Sequence, residues 1–311
     1  MTEILAAPSP TPVRAALRVL LRGIVDYAGL FPPASLDMAA AASEYVEHRS
    51  GPDAWALGRF VLPAARLEEL EVAAGAMLPR DAASSWALSA LLGSNLEEDI
   101  ERIEAFNARH GDARSGAVIV DTVELKAHSS RDVARASELL DRRFDTYMEL
   151  PSGAAPLEDL LDAISRTTAK AKIRTGGVTA DAFPSSEQLV RFAASCISRG
   201  VAFKATAGLH HPWRAEYPLT YAPNAPRGVM FGFLNVLLAV ALLREKLDTE
   251  QAIPALEERD PAAMRFDSEG LSWRGHALSV GALAIARDSL VAIGSCSFRD
   301  PISDLRALHL L

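Results

Sequence analysis

Short apolar runs closed by glycine, proline or asparagine alternate along this chain with windows whose apolar positions recur every three or four residues. The runs predict strands at Ile24–Phe31, Arg59–Pro63, Trp86–Gly93, Ala117–Leu125, Thr146–Pro151, Ala171–Thr175, Ala202–Ala207 and Leu290–Cys296. The windows between them predict helices over Leu36–Glu47, Ala65–Met77, Leu96–Arg109, Arg131–Arg142, Leu157–Arg166, Ser186–Arg199 and Gly228–Lys246. Asn95-Leu96-Glu97-Glu98 and Ser129-Ser130-Arg131-Asp132 have the form of helix starts, a capping side chain before an acidic first turn. Eight strands with seven intervening helices give an α/β fold, a (β/α)8 TIM barrel, as one domain over residues 1–311. A six-stranded doubly wound sheet with added pieces is the alternative.

The alternation breaks once. About 80 residues separate Gly208 from the last strand, far more than an ordinary crossover needs. Insertions are expected at about 209–227 and 250–285, on either side of the seventh helix. The first is rich in proline and aromatic residues and leaves the C-terminal end of a strand, where a barrel carries its active site, so it is read as a lid or as an oligomer contact. The second holds Asp267-Ser268-Glu269-Gly270 between Arg265-Phe266 and Leu271-Ser272-Trp273, the signature of a small hairpin.

With 49% hydrophobic residues, the 311-residue chain can bury a large core. A net charge of −8 and the lack of a basic stripe argue against nucleic acid as a partner. The most apolar window, Gly228 to Leu243, contains Asn235 and runs into Arg244-Glu245-Lys246, so it reads as a buried helix and no membrane span is expected. Cys196 and Cys296 have no metal-like spacing and are expected to be reduced and packed. Glu3 and three prolines precede Arg14 in place of a secretory leader, which together with the thiols suggests a cytoplasmic protein.

Two strings carry the candidate chemistry, Lys172-Ile173-Arg174-Thr175-Gly176-Gly177 and Phe203-Lys204-Ala205-Thr206-Ala207-Gly208. Each reads as a strand that delivers a lysine and breaks at glycine. A helix separates them, so right-handed crossover rules place the strands side by side and parallel. Asp26, Asp121 and Glu149 are likewise embedded in apolar strands, and one barrel mouth is expected to collect them with Lys172, Arg174 and Lys204. A free lysine titrates near pH 10.4 and is almost wholly protonated at neutrality. Two ammoniums about 7 Å apart repel by roughly 2.4 kcal/mol at an effective dielectric of about 20, enough to lower one pKa by nearly 2 units. An amine so tuned suits Schiff-base chemistry. Without such tuning the same residues make a polar network, Lys172 with Glu149 and Lys204 with Asp121.

The two strings resemble those of deoxyribose-phosphate aldolase, a class I aldolase family on a (β/α)8 barrel. There a Lys-x-x-Thr-Gly string on the sixth strand carries the imine lysine, and a Phe/Val-Lys-x-x-Gly-Gly string on the seventh carries a lysine that perturbs it. Val25-Asp26-Tyr27-Ala28-Gly29-Leu30, Val61-Leu62-Pro63, Ile119-Val120-Asp121-Thr122-Val123 and Ile293-Gly294-Ser295-Cys296-Ser297 are similar to the family's first, second, aspartate-bearing and last strands. The resemblance implies Lys172 as nucleophile, Lys204 as its perturber and Asp121 as proton carrier, with no cofactor and no metal. Asp26, Glu149, Arg174, Thr175, Gly176, Gly177, Thr206, Gly208, His210 and Ser295 would contact a small carbonyl substrate bearing a phosphate or carboxylate. Arg174 stands where the family has a small polar residue, Leu125 where it has asparagine, and Gly208-Leu209-His210-His211 replaces the double glycine. These departures and the long insertion describe a diverged relative acting on a compound other than deoxyribose phosphate.

Two other readings use the same residues. His210 and His211 with Asp121 and Glu149 would serve a metal-dependent lyase or hydrolase. A non-catalytic barrel would hold a small anion through Lys172, Arg174 and Lys204. Oligomeric state is left open, a homo-oligomer included.

Overall fold

In the computed structural model, which describes residues 15–151 and 157–311, eight parallel strands close into a barrel in sequential order. They are Val25–Tyr27, Leu57–Pro63, Trp86–Leu91, Val118–Lys126, Asp145–Glu149, Lys170–Arg174, Phe203–Thr206 and Leu290–Ser295. Each expected strand is present, and helices surround the barrel, so the chain is a (β/α)8 TIM barrel. The reading of Glu3 and the prolines before Arg14 falls outside the described residues. The first strand is shorter than its apolar run because the chain leaves the sheet after Tyr27, with Ala28 N–H bonded to Ser295 O at 2.7 Å.

Sequence and capping agree closely at several helices. Asn95 accepts from Glu98 N–H to start Leu96–Arg109, and Ser129 and Asp132 make a reciprocal capping box before Ser130–Leu140. Four aromatic side chains, Tyr27, Tyr45, Phe60 and Trp86, fill the space between the first three strands and helix Met38–Ser50. Cys196 and Cys296 are both free thiols and buried.

Two departures from regular alternation position the site. In the fourth strand the register shifts between Leu88 opposite Val120 and Ser89 opposite Thr122, which leaves Asp121 as an extra, bulged residue. Asn107 clamps the bulge by bonding Val120 N–H and Val120 O, each at 2.9 Å. The bulge moves the inward alternation onto even-numbered residues, so Glu124 and Lys126 face the C-terminal mouth.

The second departure is the long segment after the seventh strand. An antiparallel hairpin, Ala215–Pro218 with Arg227–Met230, comes first. Helix Phe233–Arg244 follows, apolar on every side, with eleven residues buried, among them Asn235. It is a core helix, packed against Ser186–Ser198, Thr249–Glu257 and Val280–Ser289. No helix among the described residues is long and apolar enough to cross a membrane. The expected hairpin at 264–279 is a three-stranded sheet, Met264–Phe266, Gly270–Trp273 and His276–Ser279, turning where the Asp-Ser-Glu-Gly string stands. Helices Ala15–Leu21, Thr249–Glu257, Val280–Ser289 and Arg299–Ala307 complete the fold; their windows are too short or too uniformly apolar to announce themselves.

Two polar side chains hold this segment together. Asn235 is fully buried, accepts from Arg214 N–H, and donates to Ala255 O and Glu258 O, each bond 2.9 Å. Glu258 accepts from Trp273 Nε1 at 3.0 Å, Arg274 Nε at 2.6 Å and two backbone N–H groups. The bond from Arg274 leads the causes that hold the Glu258 carboxyl down at about 2. Substituting Asn235→Leu strands three backbone groups in an apolar setting, each costing about 1–3 kcal/mol, and is expected to lower the urea midpoint markedly. The Glu258 contribution is complete above its unfolded pKa near 4.5 and is lost as pH falls toward 2. Acid unfolding of Glu258→Gln against wild type measures it: the stability gap closes as pH drops through that window.

Candidate active site

Lys172 and Lys204 are register partners on adjacent parallel strands, and Glu149 is the partner of Lys172 on the other side. Both ammoniums project into the barrel and meet at one carboxylate. Lys172 Nζ lies 2.7 Å from Glu124 Oε2, and Lys204 Nζ 2.7 Å from Glu124 Oε1. Lys172 also pairs with Glu149 Oε2 at 2.8 Å, and Lys204 with Asp26. Glu124 further accepts from Ser89 Oγ at 2.6 Å. The cluster is nearly dry: Lys204 is 1% exposed, Glu124 2% and Lys172 4%.

Three carboxylates therefore face two ammoniums. An ammonium–carboxylate contact of this length contributes roughly 6 kcal/mol at an effective dielectric of about 20, against about 2.4 kcal/mol for ammonium repulsion at about 7 Å. Attraction wins. Burial alone would lower the Lys204 pKa, but Asp26 and Glu124 outweigh it and the net shift is upward. Burial would likewise raise the Glu124 pKa, yet Lys172 and Lys204 hold it far below the usual carboxylate range. The expectation that ammonium repulsion lowers one of the pair is thus not met at Lys204, which is a fixed cation.

Asp121 is not in this cluster. It lies three residues before Glu124, about 10 Å along the strand, and is held by Arg59 at 2.6 and 3.0 Å. The bulge is the reason: it leaves Asp121 low in the barrel and sends Glu124 to the lysines. The expected Lys204–Asp121 pair is replaced by Lys204 with Asp26 and Glu124, while the Lys172–Glu149 pair is present.

Above the cluster a cavity of about 390 Å³ opens at the C-terminal mouth. Lys172, Lys204, Glu124 and Glu149 form its floor; Arg174, Lys126 and Thr206 stand one inward position higher on their strands. Among the described residues neither Arg174 nor Lys126 forms an ion pair, and both are exposed. Leu219 and Met230 of the hairpin roof the cavity. A second cavity of about 600 Å³ adjoins the first and shares Leu91, Glu124, Lys126, Glu149 and Lys172.

The remaining expected residues divide. Gly177, Gly208 and His210 line the cavity, whereas Thr175 and Gly176 do not. Thr175 is fully buried and ties the strand ends by donating to Ala207 O at 2.6 Å. Gly176 is required by packing: a Cβ there would stand 2.9 Å from Gly208 Cα and closer still to the Phe183 ring. Asp26 touches Lys204 beneath the cavity, and Ser295 supports His210 at 3.2 Å from its Nδ1. His211 turns away, pairing with Asp304 at 2.6 Å and stacking on Tyr217. The four residues of the metal reading thus disperse to Asp304, Arg59, Lys172 and Ser295, and no three acidic, histidine or cysteine side chains among the described residues form a metal-holding group. Two charged residues of the cavity, Glu124 and Lys126, are not among those the sequence pointed to. The cue was present, since two charged residues interrupt the apolar end of the fourth strand, but the bulge that turns them inward has no local signature.

Removing one partner of a buried ion pair costs about 3–5 kcal/mol because the other charge is left uncompensated. Glu124→Gln is expected to destabilise the protein by at least that range in urea unfolding, with a smaller loss for Glu149→Gln at the cavity wall. Equal, small losses would show that the lysines do not depend on Glu124. Compared with known protein families and with curated proteins, the chain finds no match in either.

Proposed function

We propose that this protein is a class I, Schiff-base carbon–carbon lyase or aldolase acting on a small anionic carbonyl compound. One observation carries the reading: the Lys172 amine sits at the floor of a cavity, between two carboxylates, directly below Arg174 and Lys126, which have no acid partner among the described residues. A purely structural ion network has no use for the cavity or for the free cations above it.

In this reading Lys172 gives a proton to Glu149, 2.8 Å away on the cavity wall, and attacks the carbonyl. Glu149 then returns that proton to the alkoxide, takes a second from the carbinolamine nitrogen and delivers it to the hydroxyl; water leaves, and the iminium serves as electron sink for the adjacent C–C bond. Glu149 takes the role first expected of Asp121. Lys204 remains charged and occupies the second oxygen of Glu124, so that carboxylate cannot turn wholly toward Lys172. Arg174, a planar fork, and Lys126 bind a carboxylate or phosphate at the rim. The junction of two cavities at Lys172 leaves room for two fragments, as an aldol reaction requires. The likeness of the lysine strings to deoxyribose-phosphate aldolase supports the same chemistry.

Borohydride reduction in the presence of a panel of aldehydes and ketoacids, followed by peptide mass mapping, is expected to place an adduct on Lys172. An adduct on Lys204 would reverse the roles, and no adduct with any carbonyl would overturn the reading. Arg174→Ala is expected to weaken a carboxylated donor by about 10–100-fold in KM, as for loss of a hydrogen bond to a charged group, with little change for an uncharged aldehyde.

A further inference from the structure

The lysine and carboxylate groups account for imine formation but leave the C–C step without a base. That step must remove a proton from the hydroxyl β to the imine carbon. Among the described residues lining the cavity, Glu124 stays bound to Lys204, Glu149 serves the imine nitrogen, Lys172 is the iminium itself, and Lys126, Arg174 and Lys204 are placed as donors to anionic groups. Two groups are left, Cys296 and His210. Burial pushes the Cys296 thiol up to about 11, which makes it a poor acceptor at neutral pH.

His210 is built differently. Ala207 and Gly208 both adopt left-handed backbone, φ 66° and 74°, and swing the chain across the mouth; Leu209 anchors in the core and His210 returns to the cavity. Ser295 sets its tautomer. The Ser295 hydroxyl donates to Ser297 O at 2.7 Å, which uses its one proton, and so can only accept from His210 Nδ1 at 3.2 Å. Asp300 Oδ2, 3.9 Å from Nδ1, favours the same tautomer. Nδ1 therefore carries the proton and Nε2 the lone pair. Among the described residues the one hydrogen-bonding contact of Nε2 is a long one to Cys296 Sγ at 3.9 Å, a distance the sulfur also keeps from Nδ1, so no strong donor occupies the Nε2 lone pair. Burial holds His210 down at about 4, against the pull of Asp300 and with help from His211, so the ring is uncharged at neutral pH. Asp300 itself is engaged by the Tyr221 hydroxyl at 2.7 Å.

We propose that His210 Nε2 is the acid–base group for the carbon–carbon step, a role that rests on the imine at Lys172. In cleavage, Nε2 takes the proton of the β-hydroxyl and the O–H electron pair becomes the new C=O bond of a departing aldehyde. The α–β bonding pair moves into the C=C of the enamine, and the iminium nitrogen becomes neutral. In synthesis the imidazolium returns that proton to the aldehyde oxygen as the bond forms. The substrate class is then a β-hydroxy carbonyl compound with an anionic end.

The test uses full-length wild type, His210→Gln and Ser295→Ala with racemic 4-hydroxy-2-oxopentanoate, which carries a carboxylate, a ketone and a β-hydroxyl. Adduct on Lys172 after borohydride and release of acetaldehyde are measured on each. His210→Gln is expected to keep the wild-type adduct yield and lose cleavage by about 10²–10⁴-fold, the range for a general base. Ser295→Ala is expected to keep the adduct, lose cleavage to a lesser degree, and lose the single Nδ1–H tautomer in 15N spectra of the ring. Undiminished cleavage by His210→Gln, loss of its adduct along with its cleavage, or adduct without cleavage in wild type would each overturn the role of His210. No adduct in wild type would instead overturn the imine reading on which it rests.

Discussion

One buried carboxylate, Glu124, organises the centre of this barrel. Among the described residues it alone forms ion pairs with both lysines, one oxygen to each, and it does so where little solvent reaches. Two ammoniums on adjacent strands would otherwise repel across a dry space, and the sheet register that makes them neighbours would be unfavourable. With Glu124 between them and Asp26 and Glu149 outside, the charges alternate around the barrel interior. The arrangement also makes the two lysines unequal. Lys204 is enclosed by Asp26 and Glu124, whereas Lys172 shares its second carboxylate with the cavity wall and faces the space a ligand would fill.

That geometry depends on a feature with no chemistry of its own. The bulge at Asp121 displaces the inward set of the fourth strand by one residue, and Asn107 fastens the freed backbone groups of Val120. Without it Asp121 and Val123, not Glu124 and Lys126, would continue toward the mouth. The segment after the seventh strand plays the matching part from above. Asn235 and Glu258 knit it into one unit, and its first turn carries His210 over the lysines while the hairpin closes the roof.

Most of the barrel was legible from periodicity, because buried parallel strands are continuous apolar runs and their helices are capped by recognisable residues. The lysine pair was legible for the same reason: a charged residue inside such a run has to face the interior, and crossover handedness sets Lys172 beside Lys204. The identity of their acid partners was not. Strand alternation is a rule of period two, and a single extra residue reverses it downstream, so Asp121 and Glu124 exchange roles without any change in composition nearby. The glycines at 176 and 208 are expected as substrate contacts, while the close approach of two strand ends already accounts for Gly176. His210 and His211 were read as a pair, although one turn of irregular chain sends them to different partners.

The central claim is that Lys172, and not Lys204, is the amine that condenses with a carbonyl. A crystal structure of the protein reduced with borohydride in the presence of pyruvate addresses it most directly. Continuous density is expected from Lys172 Nζ into the cavity, with the donor's carboxylate between Arg174 and Lys126 and Lys204 still bound to Asp26 and Glu124. Density growing from Lys204, or an unmodified Lys172 still seated between Glu124 and Glu149 beside an empty cavity, would contradict it.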